Sequence, residues 1–496
     1  MFLALSLATI FKTSIAIAIG YFLCQCGYNV LFHPLRHYPG PKLWAMTRIP
    51  YTCMFLSGKA HIRILEFHKQ YGPVVRIAPE FLSMSHEDAM KETRDHRKDG
   101  KALLMKEPIH HADLQKTLFG ATRDDHTRYR RAVAHGFSAK SMQDQQPLIQ
   151  TYISMLMRRL REQCDGGSTA LDMVKWFNYA TFDVIGDLSF GESFGCLENS
   201  DYHPWVALIF DVVKDLTWRL SMKRYTLLAP LLKYLIPKQL SRRFEEHSEL
   251  SRAKLQKRLA TLTDRPDFIG SMIKARSKSE NSISLSEIET VAAQLIIAGS
   301  ETTATTLSAT TYYLTRHPHV LATLCAEVRS SFSSEKEINL FNVQNLRYMM
   351  AVINESMRMY PATPGGQPRQ VDESGAMILG QYVPGGTKIE IWQWALYHNP
   401  RCFTRPDDFI PERWLDDPHF AADKKDAFQP FSVGPRSCIG RNLAYAEMHL
   451  IIARLVWNFD IRLAQGSDDW DQRSNVLLLW EKPGLYISLE PREISS

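Results

Sequence analysis

Signatures of several well-known protein classes are absent from this 496-residue sequence. Its eight cysteines form no CxxC pair, and none lies at zinc-finger spacing from a histidine, which argues against a disulfide framework and a structural zinc site. No GxGxxG follows a predicted strand and no GxxxxGKS/T occurs, so neither a dinucleotide-binding fold nor a P-loop is supported. The formal net charge of +6 is too small and too dispersed to indicate a nucleic-acid partner.

Internal boundaries are lacking too. No period of 20 to 50 residues repeats, and there is no low-complexity tract or Gly/Ser-rich linker. With 45% hydrophobic and 11% aromatic residues the chain can bury a large core, so we interpret it as one large catalytic unit. Seven of the cysteines are expected to be buried free thiols. Cys438 is set apart by its surroundings.

The N-terminus contains a long apolar run. Residues 13–32 provide about the twenty apolar residues that a bilayer-spanning helix requires. Lys12 precedes the run and leaves open whether residues 1–11 span, lie flat or protrude. No small-residue cleavage site is evident, and basic residues follow, which predicts an uncleaved, single-pass anchor with the remainder in the cytosol. We expect an anchor at 1–32, a Pro-rich hinge at 33–50 and a catalytic domain at 51–496.

Helical periodicity dominates residues 86–360, which predicts a mainly α protein. A hairpin is predicted at 71–85, and strands return at 375–392 and near the C-terminus, giving a minor sheet region. The longest predicted helix begins after Ser284, which has Glu287 in capping-box spacing, and ends before Pro318.

The middle of this long helix is unusual. Ala298 and Gly299 have almost no side chain, and Glu301 and Thr302 bring an acid and an alcohol into an apolar stretch. Thr305 and Thr306 are interpreted as bonding back to the preceding turn. A helix that gives up stability at its midpoint is typical of a ligand site.

Three further motifs follow in order. NESMRMYP places Glu355 and Arg358 on one helical face, and PERW supplies Arg413 as a second partner for the same carboxylate, allowing a buried triad. FSVGPRSCIG then places Cys438 in a glycine-containing loop.

Together these motifs resemble those of the cytochrome P450 family, whose members are haem-thiolate monooxygenases. The resemblance extends over nearly the whole chain and is strongest to fungal microsomal enzymes of secondary metabolism. It implies the cytochrome P450 fold, a large helical domain with a minor β-sheet region, together with an N-terminal transmembrane anchor in the endoplasmic reticulum membrane.

The resemblance also implies a haem b site. Cys438 would be the thiolate ligand of the iron, and amides at the start of the following helix would keep its sulfur deprotonated. Phe431 would shield the sulfur, Gly434 would shape the loop, and Gly440 would let the backbone approach the sulfur. The cations implied for the haem propionates are Arg436, Arg369, His126 and Arg130, whereas Arg128 and Arg131 are interpreted as a solvated helix face.

By the same resemblance, Glu301 would supply protons and Thr302 would hold the oxygen being reduced. The expected function is oxidation of a hydrophobic polyketide, terpenoid or alkaloid intermediate with O2 and electrons from NADPH, delivered by a separate NADPH-cytochrome P450 reductase. Its docking face would include Lys424, Lys425 and Arg441. Two alternatives remain: an isomerase or dehydratase that consumes no NADPH, and a haem-binding sensor or electron carrier.

Substrate identity is not predicted. Pocket walls are expected, by family position, from mostly apolar segments. These are 103–105, 210–213, Ala293, Ile297, 363–366 and 476–478.

Overall fold

The computed structural model describes residues 2–95, 104–107, 117–225, 238–261, 265–278 and 282–493. Most of these residues are helical, as the periodicity predicts. The helices are α1 Phe2–Leu31, α2 Lys42–Met46, α3 Ile49–Leu56, α4 Ala60–Tyr71, α5 Ala89–Arg94, α6 Arg123–Ala134, α7 Ala139–Gln163, α8 Met173–Phe190, α9 Cys196–Asn199, α10 Pro204–Lys223, α11 Lys238–Ala260, α12 Phe268–Lys278, α13 Leu285–Arg316, α14 Pro318–Ser331, α15 Arg347–Met359, α16 Gln393–Tyr397, α17 Arg441–Asn458 and α18 Trp470–Arg473.

The strands form small sheets at the edge of the helical body. The predicted hairpin is confirmed: β1 pairs antiparallel with β2, and β2 continues into a five-stranded sheet of order β1-β2-β8-β5-β3. A three-stranded sheet β4-β12-β9 and two two-stranded sheets, β6-β7 and β10-β11, complete the set. The strands are β1 Val74–Ala78, β2 Phe81–Met84, β3 Met105–Lys106, β4 Ala170–Asp172, β5 Arg369–Gln370, β6 Ala376–Ile378, β7 Gln381–Val383, β8 Lys388–Glu390, β9 Phe459–Leu463, β10 Asn475–Val476, β11 Trp480–Glu481 and β12 Tyr486–Pro491.

Helix α13 crosses the centre of the molecule and contacts α8, α11, α14, α15 and α17. Its 32 residues span about 48 Å at 1.5 Å per residue. The predicted capping box is present, with Ser284 and Glu287 each accepting a hydrogen bond from the other's backbone N–H. The same Glu287 carboxylate accepts two hydrogen bonds from Arg128 at 2.8 Å. The interpretation of Arg128 as solvated is therefore wrong, because its guanidinium joins α6 to the start of α13, whereas Arg131 is exposed.

The N-terminal helix is continuous through Lys12. Within the described residues, Thr9–Leu31 is the segment long and apolar enough to cross a membrane, with a mean hydropathy of 1.4. The C-terminal end of α1 contacts the rest of the protein through Asn29. The Asn29 side chain donates a hydrogen bond to the Met46 carbonyl, and the Asn29 carbonyl accepts one from Arg76. The following Gly40 packs against the same strand, since a Cβ there would lie 2.3 Å from the Arg76 carbonyl oxygen.

All eight cysteines are free, as expected, but they are not uniformly buried. Cys24 and Cys53 are exposed and Cys325 is half-buried, which corrects the expectation of seven buried thiols. Cys24 lies on α1, where a thiol can face lipid as a small apolar group.

Candidate active site

One stripe of α13 is partly exposed although the helix is surrounded by other elements. Ala293, Ile297, Ala298 and Thr302 are half-buried, while the positions between them, apart from Gly299, are buried. Spacings of four, one and four residues place these side chains on one helical face. Since α13 lies in the centre of the fold, this face lines an internal hollow.

Gly299 has a packing role. A Cβ at this position would lie 2.7 Å from the Ile185 side chain, so the glycine permits close packing of α13 against α8. Gly299 is itself half-buried beside Ala298, so it packs against α8 while lying next to the partly exposed stripe.

The Cys438 loop is fixed by its own backbone. Phe431 accepts a hydrogen bond at 2.8 Å from the Cys438 N–H, and Gly434 accepts one at 3.0 Å from the Ser437 N–H. Gly434 has φ of +74°, and a Cβ there would lie 2.2 Å from the Arg94 carbonyl oxygen, so a side chain is excluded on both grounds. The Phe431 ring packs against Tyr445 at a centroid distance of 5.1 Å, beside the cysteine loop.

Cys438 is an exposed residue of this loop, yet the surrounding protein desolvates its sulfur. Burial raises the pKa of the Cys438 thiol, while the Gly440 N–H and the charges of Arg130 and Arg441 act in the opposite direction. The Gly440 N–H thus favours the thiolate but does not outweigh the burial. Binding to a metal ion deprotonates a thiol outright.

The requirement for glycine at position 440 does not come from the protein's own atoms. A Cβ at Gly440 would lie 3.9 Å from the Cys438 sulfur, which is an ordinary van der Waals distance. These contacts therefore do not explain why a glycine would be needed at position 440, and its expected role beside the sulfur stays a prediction.

A group of buried cations lies near this loop. Arg369 is 4% exposed and its Nη1 has no hydrogen-bond partner among the described residues, and the same is true of the buried Nη1 of Arg436. Lys106, on the strand beside Arg369, is also buried, and burial together with the charges of Arg369, Arg436 and Arg94 lowers its pKa well below the ordinary value. Unpaired buried cations are costly, so this group fits an anionic ligand.

Two of these cations were not identified from the sequence. Lys106 and Arg94 approach Arg369 and Arg436 only because β3 pairs with β5 and α5 packs beside Gly434–Arg436. Two haem propionates carry two negative charges, and the donors present fit them.

The two remaining predicted propionate ligands behave differently from free cations. Burial and the charges of Arg436 and Arg130 lower the pKa of His126 to about 3, which favours the neutral imidazole. Arg130 donates a hydrogen bond at 2.6 Å to the Ser437 carbonyl. It therefore ties α6 to the cysteine loop.

The acid and the alcohol of α13 point in different directions. The Thr302 hydroxyl belongs to the partly exposed stripe and donates to the Ala298 carbonyl at 2.7 Å. Glu301 is 2% exposed and forms an ion pair with Lys482, which sequence reasoning missed. Thr306 bonds back to the Thr302 carbonyl as predicted, but the hydroxyl of Thr305 donates to the Glu301 carboxylate, which corrects its assignment.

The structure brings Glu355, Arg358 and Arg413 together with no solvent exposure. Arg358 donates to both Glu355 carboxylate oxygens, at 2.8 and 2.9 Å, and the Nε of Arg413 donates to Oε1 at 3.0 Å. Two partners were missed: Trp414 donates to Glu355 at 2.9 Å, and Asp423 pairs with Arg413 at 2.5 Å. The result is a hydrogen-bonded ion network in the buried interior.

Of the predicted pocket walls, Leu103 lies outside the described residues. Phe210, Val213 and Leu477 line a cavity of about 320 Å³ that also reaches Glu301. Leu104 and Val476 are core residues. Gly366 is required by packing, since a Cβ there would lie 2.3 Å from the Ile391 carbonyl oxygen.

Comparison with known proteins gives a consistent result. The chain is 48% identical over 475 residues to the trichothecene C-15 hydroxylase of Fusarium sporotrichioides, covering 96% of each chain. It is 42% identical over 475 residues to the averantin hydroxylase of Dothistroma septosporum, covering 94% of this chain and 89% of the relative. It is also 42% identical over 473 residues to the cytochrome P450 monooxygenase astJ of Aspergillus oryzae, covering 94% of each.

The family model described as cytochrome P450 matches residues 38–489. Four motifs in order, a mainly helical fold and relatives aligned over almost the full length thus agree, and the chain belongs to the cytochrome P450 family and is a monooxygenase.

Proposed function

We propose that the protein hydroxylates, or otherwise oxidises, a hydrophobic secondary-metabolite intermediate, using O2 and electrons from NADPH supplied by a membrane-bound reductase. The observation that carries this proposal is the exposed Cys438 together with nearby buried cations that have no acidic partner among the described residues. Haem, when bound, supplies the iron at which oxygen is activated, and a thiolate ligand favours cleavage of the O–O bond.

The position of each residue determines its proposed role toward the haem. Arg369 and Arg436 would hold the propionates, with Lys106 and Arg94 completing the positive charge. Cys438 would ligate the iron as a thiolate. Phe431 would cover the sulfur on one side.

Oxygen chemistry consumes protons. Monooxygenation adds one oxygen atom to the substrate and releases the other as water, which takes two electrons and two protons. Glu301 would pass protons inward, and Thr302, on the stripe that faces the hollow, would hold the oxygen being reduced. Ala293, Ile297 and Ala298 form an apolar wall for the substrate on the same face of α13.

The domain arrangement follows from the sequence pattern. Residues 1–32 would anchor the protein in the endoplasmic reticulum membrane, 33–50 would form the hinge, and 51–496 would form the cytosolic catalytic domain. The described apolar helix over Thr9–Leu31 supports an anchor by length and composition. A microsomal anchor places the domain beside a membrane-bound NADPH reductase. The exposed Lys424, Lys425 and Arg441 support docking of an acidic partner near the cysteine loop.

The names of two relatives, trichothecene C-15 hydroxylase and averantin hydroxylase, support hydroxylation as the reaction. These names specify different compounds, so a screen must include both. Microsomes that contain the full chain and a reductase should be supplied with NADPH, 18O2 and a panel of trichothecene intermediates, averantin and other apolar scaffolds.

The expected result is a product that carries one 18O atom, with NADPH consumed in proportion. Microsomes with Cys438→Ala are the matched control and should give no product. Conversion of a substrate without NADPH consumption or label incorporation would instead favour the isomerase or dehydratase alternative.

A further inference from the structure

A cavity of about 320 Å³ leads from the surface to Glu301. It lies between α10, the start of α8 and the C-terminal segment around β11. Lys214 and Glu481 form an ion pair at 2.6 Å in its wall, and both side chains are exposed, at 40% and 47%. This part of the cavity therefore faces solvent.

Lys482 marks the inner end of the same cavity. It follows Glu481 directly, and successive residues of an extended chain point to opposite sides, so one side chain faces solvent and the next faces the interior. Lys482 and Glu301 are both 2% exposed and form an ion pair. A lysine so completely buried needs a charged partner, and Glu301 provides it.

The contacts of Glu301 are asymmetric. Its Oε1 contacts the Lys482 ammonium and accepts a hydrogen bond from Thr305 at 3.3 Å, while Lys482 donates to the same Thr305 hydroxyl at 2.8 Å. Its Oε2 is buried and has no partner among the described residues. One carboxylate oxygen is thus fixed by a closed network, and the other has an unfilled acceptor position at the inner end of the cavity.

We propose that Lys482 is a positioning residue for proton delivery: it fixes Oε1 of Glu301 so that Oε2 stays free to take a proton from cavity water and pass it to the oxygen-reduction site. The proposal rests on the proposed function. Glu301 becomes a carboxylic acid when Oε2 takes a proton from solvent water, and it returns to the carboxylate when it passes that proton on. The cycle therefore needs no oxidant or reductant beyond the established monooxygenase reaction.

The test compares two ways of driving the full-length protein in microsomes. Lys482→Met is assayed with reductase and NADPH, measuring NADPH consumed, product formed and hydrogen peroxide released. Product per NADPH should fall roughly tenfold, less than the about 10²–10⁴-fold that general acid–base catalysis contributes, with a matching rise in released peroxide. Product formation driven by added hydrogen peroxide should be unchanged, because that reagent brings both its electrons and its protons.

Two further variants separate positioning from simple structural support. Lys482→Arg keeps the cation and should restore most of the product per NADPH. Lys59→Met is the matched control, because the Lys59 ammonium also holds the C-terminal segment, through the Gln472 and Ser474 carbonyls at 3.2 and 3.0 Å, without contacting Glu301. It should leave product per NADPH unchanged.

A double variant keeps the test decisive if Lys482→Met alone does not fold. Glu301→Gln with Lys482→Met removes both buried charges, and it should match Glu301→Gln alone if Lys482 acts only through Glu301. The proposal is overturned if Lys482→Met keeps its product yield, if it loses both modes of turnover equally, or if the double variant is worse than Glu301→Gln. A wild-type protein inactive in both modes would instead refute the proposed function.

Discussion

The buried network around Glu355 gives a prediction whose size can be worked out from its contacts. Glu355 accepts five hydrogen bonds, three from the guanidiniums of Arg358 and Arg413 and one each from the Ile410 N–H and the Trp414 indole. In Glu355→Ala all five donors lose this acceptor inside a fully buried site. Arg413 keeps Asp423 and Arg358 keeps three backbone carbonyls, so the guanidiniums are only partly compensated.

Breaking a buried ion pair from one side costs about 3–5 kcal/mol, a large part of the 5–15 kcal/mol by which a typical domain is stable. At about 2.1 cal/mol/K per residue, a catalytic domain of roughly 450 residues unfolds with an entropy near 0.9 kcal/mol/K, so the thermal midpoint should fall by about 3–5 °C. The haem content of the membrane fraction, measured from the carbon monoxide difference spectrum, should fall with it.

Glu66→Ala is the control, because it removes a carboxylate from an exposed pair, with Arg63 and Glu66 exposed at 57% and 53%. Such pairs contribute about 0–1 kcal/mol, so its midpoint should change by no more than about 1 °C. The reasoning would be refuted if Glu355→Ala matched Glu66→Ala in both midpoint and haem content.

Four other predictions concern single positions. Cys438→Ala should abolish the red-shifted Soret band of the reduced carbon monoxide complex. Gly434→Ala should lower haem content, because its Cβ would lie 2.2 Å from the Arg94 carbonyl oxygen. Thr302→Ala should bind haem normally but yield less product per NADPH. Burial raises the pKa of Glu447 from 4.5 to about 8, so the unfolded chain releases this proton first and the fold loses stability as pH rises from about 4.5 to about 8; Glu447→Gln should therefore lose less of its thermal midpoint between pH 5 and 8 than the wild type.

Local features of the fold were predictable because their causes lie in neighbouring residues. The ends of α13 follow from the capping box at Ser284 and from Pro318, and the β1-β2 hairpin follows from alternation on either side of a Pro-containing turn. The spacing of Glu355 and Arg358 by three residues placed them on one face of α15, and the structure shows them bonded.

The contacts that the sequence did not predict join residues that lie far apart in the chain or in irregular segments. Lys482 is separated from Glu301 by 181 residues, and nothing in its local sequence distinguishes it from a surface lysine. Asp423 lies in an irregular segment that gives no periodic signal, yet it is the second carboxylate of the Arg413 site. The packing role of Gly299 was missed for a related reason, since a small residue in a helix can face a ligand or a neighbouring helix, and the contact with Ile185 is visible only in the fold.

Charge compensation distinguishes the haem site from the rest of the interior. Several other buried cations have carboxylate partners: Arg358 and Arg413 share Glu355, Arg258 pairs with Asp267, and Lys482 with Glu301. Arg76 is instead hydrogen-bonded to the backbone carbonyls of Asn29 and Pro79. Arg369, Arg436 and Lys106 share a location without such a partner among the described residues, and burial lowers the pKa of each. A fold that neutralises its buried charges in other places keeps this group because its negative charge arrives with a ligand, and a dianionic group seated beside the Cys438 sulfur meets that requirement.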